Sequence, residues 1–410
     1  MPCARHQTMR PRKSPAGFVV RPARNPCKPC PTVAGAQEKP LLVLGIMSGT
    51  SIDAVDYAVC KVGSGRVRLL KHWQTKFPKQ LQERLRAAAS NQATSHELGQ
   101  WHHDLGRFYA IEAQRGLRGQ RVQLAGLHGQ TVWHHPSRKN PATLQLGEPA
   151  YLAEELRAPI VSSFRAADIA AGGQGAPLAT LFHQIAFGKP GSHVCVNNLG
   201  GISNVTSIDW RGARKPRLLA FDTGPANVLI DLAMRQFTGG RRAFDRNGDW
   251  AAGGHPQQQI VECWLEHPFF HTPPPKSTGR ELFGEPFFNR AWRQTSKLSP
   301  PDALATLTEL TARSLALNYQ LHLPARPEQV VLAGGGAANR HLVSRICAHL
   351  LTLQPLTNIQ TSDQLGWLVQ SVEPAAFALL AYYRWRRKPG NIPATTGARR
   401  AVLLGQVAEP

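Results

Sequence analysis

The sequence predicts an α/β protein built from two related domains, and three observations lead there. Its 410 residues exceed what one small core organises, so two domains are expected. Short apolar runs that read as buried strands alternate with stretches of helical periodicity. A strand, small-residue turn, strand device occurs twice, around Met47-Ser-Gly-Thr-Ser51 and again around Leu199-Gly-Gly201. A repeat at so long a spacing suggests two related units rather than a solenoid.

Residues 1–39 carry eight Lys or Arg against Glu38 alone, with many prolines and no periodicity. That composition predicts a disordered segment. It is acid-poor, as transit peptides are, but lacks their amphipathic helix, so a dispensable tail or an upstream start is expected. The folded part opens with the apolar run Leu41–Ile46, the small-residue turn, and a second strand over Asp56–Val62. Two apolar runs around such a turn read as a hairpin. Helical patterning follows over Lys79–Ala89 and His96–Arg115, then a strand over Val122–Leu127 ending at His128-Gly-Gln-Thr131. A helix is expected over Ala150–Arg157 and a short strand over Ala158–Ser162. The glycine loop 171–177 enters a helix over Leu178–Phe187.

The second hairpin runs from Val194–Asn198 through the Leu199-Gly-Gly201 turn to Ile202–Ile208. Leu218–Phe221 is a strand ending at Asp222-Thr-Gly-Pro225, and Pro225 suits the first turn of a helix reaching Phe237. Residues 239–285 are rich in Gly and Pro and read as surface loops around one or two short helices. Pro301–Leu321 is a strong helix, Gln329–Ala333 a buried strand, Asn339–Leu351 a helix after a glycine triplet, and Pro374–Arg386 a last helix. The stretch from Lys388 to Pro410 has no periodicity. These elements divide the chain into a domain over 40–190, a second over 191–369, and a tail over 391–410. The helix near 370–390 is expected to pack back on the first domain.

A net charge of +22 and a pI near 10.4 point to an anionic partner. Outside the N-terminal segment the charge is not clustered as a nucleic-acid patch would be, so phosphorylated or carboxylated small molecules account for its sign and nucleic acid is not expected. No run approaches the roughly 18–20 apolar residues of a membrane span. Of seven cysteines, Cys27 and Cys30 form a C-x-x-C pair that no second pair completes as a zinc site. Free thiols in a reducing compartment are the simplest expectation. The histidines show no metal-ligand spacing, and Trp101-His-His103 is expected to face solvent.

The segment Gly49-Thr-Ser-Ile-Asp-Ala-Val-Asp56 joins two strands with small and hydroxyl residues. Such a turn exposes backbone N–H groups, lets a phosphate approach closely, and offers Thr50 and Ser51 as donors. Asp53 suits Mg²⁺ held through water, since that ion takes one or two carboxylates and keeps its waters. An ordinary hairpin turn uses the same residue types. Asn198-Leu-Gly-Gly-Ile-Ser-Asn204 repeats the device with Gly200 and Gly201, and a nucleotide clamped between two domains needs one turn from each. Gly334-Gly-Gly-Ala-Ala-Asn339 lets a flat ring pack on backbone near a helix N-terminus, or simply makes a tight turn.

Asp222 ends a strand and Asp168 precedes the glycine loop 172–175, where open α/β sheets place ligands. Helix capping explains an Asp before Gly-Pro as well. His128, Gln130 and Thr131 bring three hydrogen-bonding side chains to one strand end, which suits a polyhydroxyl or acetamido ligand or plain loop structure. Lys276-Ser-Thr-Gly-Arg280 reads as a basic loop that either meets an anionic group or stays solvated.

Taken in order, Met47-Ser-Gly-Thr-Ser-Ile-Asp53, His128-Gly-Gln-Thr131, Gly172-Gly-Gln-Gly-Ala-Pro-Leu178, Asn198-Leu-Gly-Gly-Ile-Ser-Asn204, Asp222-Thr-Gly-Pro225, Pro275-Lys-Ser-Thr-Gly-Arg-Glu281, Gly334-Gly-Gly336 and Ala375-Ala-Phe-Ala378 resemble the anhydro-N-acetylmuramic acid kinases over about residues 41–410. Each motif alone is weak; the ordered set is specific. The resemblance implies two ribonuclease-H-like domains of the actin-like ATPase type around a cleft, with ATP, Mg²⁺, a cytoplasmic place in cell-wall sugar recycling, and commonly a homodimer.

It further implies that water attacks the anomeric carbon while O6 takes the γ-phosphoryl group, with Asp222 as general base and Glu373 as a second carboxylate. It assigns ATP to Gly49, Thr50, Ser51, Ile52, Asp53, Ala54, Val55 and Asp56, to Asn198, Gly200, Gly201 and Asn204, and to Gly334, Gly335, Gly336 and Asn339. Sugar contacts fall on His128, Gln130, Thr131, Arg165 and Asp168. Position 54 is Ala where the family pattern has Gly, and 374 is Pro where it has Ala. The competing readings are another sugar kinase of the same superfamily and a non-catalytic nucleotide- or sugar-binding paralogue.

Overall fold

The computed structural model describes residues 39–410 apart from 64, 137, 138 and 213. The expectation for residues 1–39 therefore lies, Lys39 aside, outside the described residues. The elements in chain order are β1 (Leu41–Ser48), β2 (Ala54–Gly63), β3 (Arg66–Lys76), α1 (Lys79–Ala89), α2 (Ser95–Leu117), β4 (Leu124–His135), β5 (Ala142–Leu146), α3 (Pro149–Leu156), β6 (Ile160–Ser162), α4 (Phe164–Ala170) and α5 (Thr180–Ala186). They continue with β7 (His193–Leu199), β8 (Ile202–Asp209), β9 (Arg217–Pro225), α6 (Asn227–Phe237), α7 (Asp249–Ala252), α8 (Gln258–Leu265), α9 (Pro268–His271), α10 (Arg280–Phe283), α11 (Glu285–Thr295) and α12 (Pro300–His322). The last are β10 (Gln329–Ala333), α13 (Arg340–Leu353), β11 (Asn358–Thr361), α14 (Val372–Trp385), α15 (Pro393–Thr396) and β12 (Gln406–Ala408).

Two sheets repeat one plan. In the first, the strand order is β12-β6-β4-β1-β2-β3, with β5 paired to β4. β1, β2 and β3 form an antiparallel meander, and β4 then β6 join β1 in parallel. In the second, the order is β11-β10-β7-β8-β9. Here β7, β8 and β9 are the meander, and β10 then β11 add in parallel on the far side of β7. With β5 and β12 set aside, the two sheets have the same order and directions. The expected pair of ribonuclease-H-like sheets in an α/β fold is what the chain forms.

The buried strands are apolar on both faces because helices cover both. In β1, Val43 points into a core with α14, while Leu44 and Ile46 point into a core with α1 and α2. In β7, Val194 and Val196 join the core that holds α5 and α14, and Cys195 and Leu199 join the core that holds α12 and α13. The core around α14 and α5 thus takes side chains from both sheets. α14 lies close on the first sheet because β1 and β4 carry glycine beneath it. A Cβ at Gly45 would fall 1.7 Å from the Pro374 carbonyl oxygen, and one at Gly126 2.3 Å from that of Phe377. Pro374 sits in the first turn of α14, where its missing N–H has no partner to lose.

Several expectations need correction. Residues 239–285 form four short helices, α7 to α10, and Ala251, Val261, Trp264, Phe270 and Phe283 pack with α6 and α12. Closely spaced glycines and prolines shorten helices there without removing their apolar faces. The stretch after Lys388 contributes α15 and pairs β12 antiparallel with β6. Trp101 is buried rather than solvated, and His102 meets Glu148 Oε2 at 3.2 Å. β3, an edge strand rich in cations, escaped the apolar-run criterion. Among the described residues Cys60, Cys195, Cys263 and Cys347 are free, and no helix is long and apolar enough to cross a membrane.

Candidate active site

The β1–β2 turn closes with Ile52 N–H donating to the Gly49 carbonyl at 3.1 Å. Ile52 has φ of 56°, a region that β-branched residues avoid, and its side chain is buried in the α1–α2 core. Core packing therefore holds a strained turn in place, as functional turns often require. Thr50 and Ser51 are exposed at its tip. Ile52 and Val55 point inward, so only their backbones are available to a ligand. Ala54 begins β2, and the Asp56 carboxylate is taken by His72 at 3.1 Å and Gln74 at 3.0 Å.

The glycines fall into two groups. A Cβ added to Gly49, Gly200, Gly201 or Gly335 would meet nothing closer than 3.5 Å. The fold does not demand glycine at these positions, and their open space suits an approaching ligand. Gly334 is different: its φ is +78°, and a Cβ would lie 2.2 Å from Asn198 Oδ1. Gly336 would meet the Leu199 Cβ at 2.8 Å. These two glycines let the β10–α13 turn nest against the β7–β8 turn. Asn339 caps α13, its Oδ1 accepting from Leu342 N–H at 2.9 Å. That commits its carbonyl to the helix rather than to a nucleotide.

Strand register gathers the polar residues of the second sheet. Asn198 pairs with Asn204 across β7–β8, and Asn204 pairs with Asp222 across β8–β9. Residues directly opposite share a face, so Asn198, Asn204 and Asp222 form one row. Asp222 lies inside β9, which runs on to Pro225, rather than ending it. Its Oδ2 accepts from Thr278 N–H at 2.8 Å, and its own N–H donates to the Lys276 carbonyl at 3.1 Å. Burial raises the Asp222 carboxyl to about 7; the Thr278 N–H and Lys276 oppose the rise and Glu281 adds to it.

Of the two readings open for the 276–280 loop, solvation does not hold for Lys276. It is buried, with Nζ donating to the carbonyls of Phe269 at 2.9 Å and Phe270 at 3.1 Å. Burial lowers it to about 8, against the pull of Asp222. The loop 276–281 is thus a clasp on Asp222. Sequence reasoning missed Thr278 in this role because a backbone N–H leaves no side-chain signal. It also missed Asp231, one turn into α6, which burial raises to about 7 while Arg235, Arg280 and Asp53 act on it electrostatically.

The first sheet supplies a second constellation. His128 is buried; its Nδ1 donates to the Gly129 carbonyl at 2.8 Å, leaving Nε2 to accept from Arg165 Nε at 3.1 Å. Burial, reinforced by Arg165, holds the ring well below the usual histidine range and neutral. Arg165 Nη1 donates to the Gly175 carbonyl at 2.7 Å, and its charge acts on Glu373. Glu373, in the first turn of α14, accepts from Asn198 Nδ2 at 3.4 Å. Its carboxyl is raised by burial first and by Asp56 next. Gln130 Nε2 donates to the Gly49 carbonyl at 3.2 Å, tying this strand end to the β1–β2 turn. Thr131 Oγ1 accepts from Gln145 at 3.3 Å.

Asp168 does not stand open to a ligand as expected. It is fully buried, and Gly175 N–H, Asn391 Nδ2 and Thr396 Oγ1 all donate to its carboxylate. Asp53 is the opposite case. It is 60% exposed and lies only loosely against Arg86 at 3.6 Å. Among the described residues no three His, Cys, Asp or Glu side chains gather tightly enough to hold a metal ion.

Comparison with known proteins completes the picture. The family model described as anhydro-N-acetylmuramic acid kinase matches residues 41–410. A Crocosphaera subtropica protein of that name is 42% identical over 381 residues, covering 90% of this chain and 98% of the relative. Its counterpart in Microcystis aeruginosa is 41% identical and is covered completely. Among solved structures, the activator of 2-hydroxyisocaproyl-CoA dehydratase from Clostridium difficile aligns over 85% of this chain and 96% of its own, at 11% identity and a TM-score of 0.42. The match over residues 41–410 establishes that the chain belongs to the anhydro-N-acetylmuramic acid kinase family.

Proposed function

We propose that the chain is an ATP-dependent kinase that opens 1,6-anhydro-N-acetylmuramic acid with water and phosphorylates O6, giving N-acetylmuramic acid 6-phosphate and ADP. The observation that carries this reading is the family match over residues 41–410, and the site offers a base for it: the Asp222 carboxyl, in one row with Asn198 and Asn204, is aimed by the Thr278 N–H and raised to about 7 by burial. A group with that affinity takes a proton near neutral pH and returns it to solvent. In the reaction, the water oxygen bonds to the anomeric carbon as the bond from that carbon to O6 breaks. One water proton passes to Asp222 and the other stays on the new anomeric hydroxyl. O6 bonds to the γ-phosphorus as the β–γ bridging bond breaks and ADP leaves.

The other residues take positions around that step. Open space over Gly49, Gly200, Gly201 and Gly335 supports a nucleotide between the turns, with Thr50 and Ser51 as phosphate donors. Neutral His128, Gln130, Thr131 and Arg165 form the sugar side, and Glu373 is the second carboxylate, joined to the Asp222 row through Asn198. The exposed Asp53 fits Mg²⁺ held through water, because that ion keeps most of its waters and binds mainly to substrate phosphates. Bound with ATP, it neutralises phosphate charge.

The same reading takes 40–190 with the 370–390 helix as one lobe and 191–369 as the other. It places the enzyme in the cytoplasm as a homodimer, in cell-wall sugar recycling. The test is turnover of the anhydro sugar with ATP, followed by mass spectrometry of the product. Gain of one water and one phosphoryl group is expected. Phosphorylation of plain N-acetylmuramic acid alone points instead to another sugar kinase of the superfamily.

A further inference from the structure

Before it reaches β12, the segment after α14 bonds to the buried Asp168 through Asn391 and Thr396. Asp168 Oδ1 accepts from Asn391 Nδ2 at 2.7 Å and Thr396 Oγ1 at 2.8 Å, and Oδ2 accepts from Gly175 N–H at 2.8 Å. Two backbone bonds fasten the same loop to the segment: Gln174 N–H to the Thr396 carbonyl at 2.8 Å, and Arg399 N–H to the Ala171 carbonyl at 2.9 Å. The Gly175 carbonyl then receives Arg165 Nη1 at 2.7 Å, and Arg165 Nε reaches His128 Nε2 at 3.1 Å. An unbroken chain of short bonds thus links Thr396 to His128. Bonds to a buried carboxylate are stronger than neutral ones. With both Asp168 oxygens engaged, the loop is held in one place and Arg165 is aimed by it.

A segment that served only to anchor the chain end would need no link to this arginine, and pairing of β12 with β6 already supplies an anchor. We propose that Asn391 and Thr396 are positioning residues for the reaction: through Asp168 and Gly175 they set the Arg165 guanidinium beside His128 and Glu373. The inference rests on the reading of Arg165 as a sugar-side group. A displacement of about 1 Å at such a group costs on the order of 100-fold in rate, so loss of one donor to Asp168 is expected to be visible in turnover.

The test compares Thr396→Val, which keeps the shape and removes the hydroxyl, with Thr396→Ser, which restores it. Both are assayed in the full chain at a temperature well below their unfolding midpoints. The expected result is a fall of about 10- to 100-fold in kcat/KM for the anhydro sugar in Thr396→Val, unchanged Kd for ATP, and recovery in Thr396→Ser. Combined with Arg165→Lys, Thr396→Val should add little further loss, because both act on one guanidinium. A lower unfolding midpoint with wild-type kcat/KM overturns the inference, as do equal losses toward sugar and ATP or effects that multiply independently with Arg165→Lys. If Arg165→Lys alone keeps wild-type kcat/KM, the reading of Arg165 has failed, and the inference falls with it.

Discussion

Asn198 donates its side-chain amide to Glu373 at 3.4 Å, so a strand of the second sheet is tied to the helix that packs on the first. The bond joins the Asn198–Asn204–Asp222 row to the Arg165–His128 constellation. It also opposes the rise that burial and Asp56 impose on the Glu373 carboxyl. Glu373→Gln keeps the shape but removes the charge that faces Arg165. Turnover at saturation is expected to fall at least about 10-fold, with ATP affinity nearly unchanged. Steady-state kinetics beside calorimetric ATP titration check it, and wild-type kcat would remove Glu373 from the mechanism.

The glycine geometry separates folding from binding. Gly334→Ala meets Asn198 Oδ1 at 2.2 Å and needs φ of +78°, so a loss of about 1–3 kcal/mol in stability is expected. Gly335→Ala meets nothing within 4 Å and should melt like wild type. Gly49→Val puts its Cβ no closer than 3.9 Å, to Ser51 Oγ, and its methyl groups fill space where the turn would admit a phosphate. Its melting temperature should hold while ATP affinity drops. Thermal denaturation and ATP titration on the three variants decide this. An unaltered ATP Kd in Gly49→Val would show that the turn holds no phosphate.

The repeated sheets were legible because β1, β2, β7 and β8 are apolar runs broken at small-residue turns, a local signal that survives without tertiary knowledge. β3 was not, because an edge strand covered on one side carries Arg66, Arg68 and Lys71 among its apolar positions. The row of Asn198, Asn204 and Asp222 was visible only as separate motifs. Register brings them together, and a bulge between Ser203 and Asn204 sets which residue faces Asp222. Asp168 was misread as a ligand contact because its partners Asn391 and Thr396 lie 223 and 228 residues away. A carboxylate beside a glycine loop looks the same from the sequence whether a substrate or a distant tail satisfies it.

Asp231 offers a stability test independent of turnover. Its carboxyl is raised by burial from 3.8 to about 7, so the folded state favours the protonated form. The stability this lends is complete below about pH 4 and fades as pH rises to about 7. Asp231→Asn removes that dependence. The variant should match wild type at pH 4 and exceed it at pH 8 by on the order of 1–2 kcal/mol, discounting for partial exposure. Denaturant melts at the two pH values measure it, and a variant less stable at pH 8 would show that the charged form is held by its arginines.

For Asp222, the base proposed above, its own titration supplies the check. With the carboxyl at about 7, the base is half ionised near neutral pH. kcat/KM for the anhydro sugar should therefore rise with pH through about 7 and level off above it. Asp222→Asn still accepts from the Thr278 N–H through its amide oxygen but cannot take the proton from water. Turnover should fall about 10²–10⁴-fold, and ATP and sugar affinities should change much less. The rise through pH 7 should vanish from the residual activity. Asp231 titrates in the same range, so Asp231→Asn is the control: it should keep the rising limb. If Asp222→Asn retains that limb while Asp231→Asn loses it, the proton acceptor is on α6, and Asp222 serves only to hold the loop at Thr278.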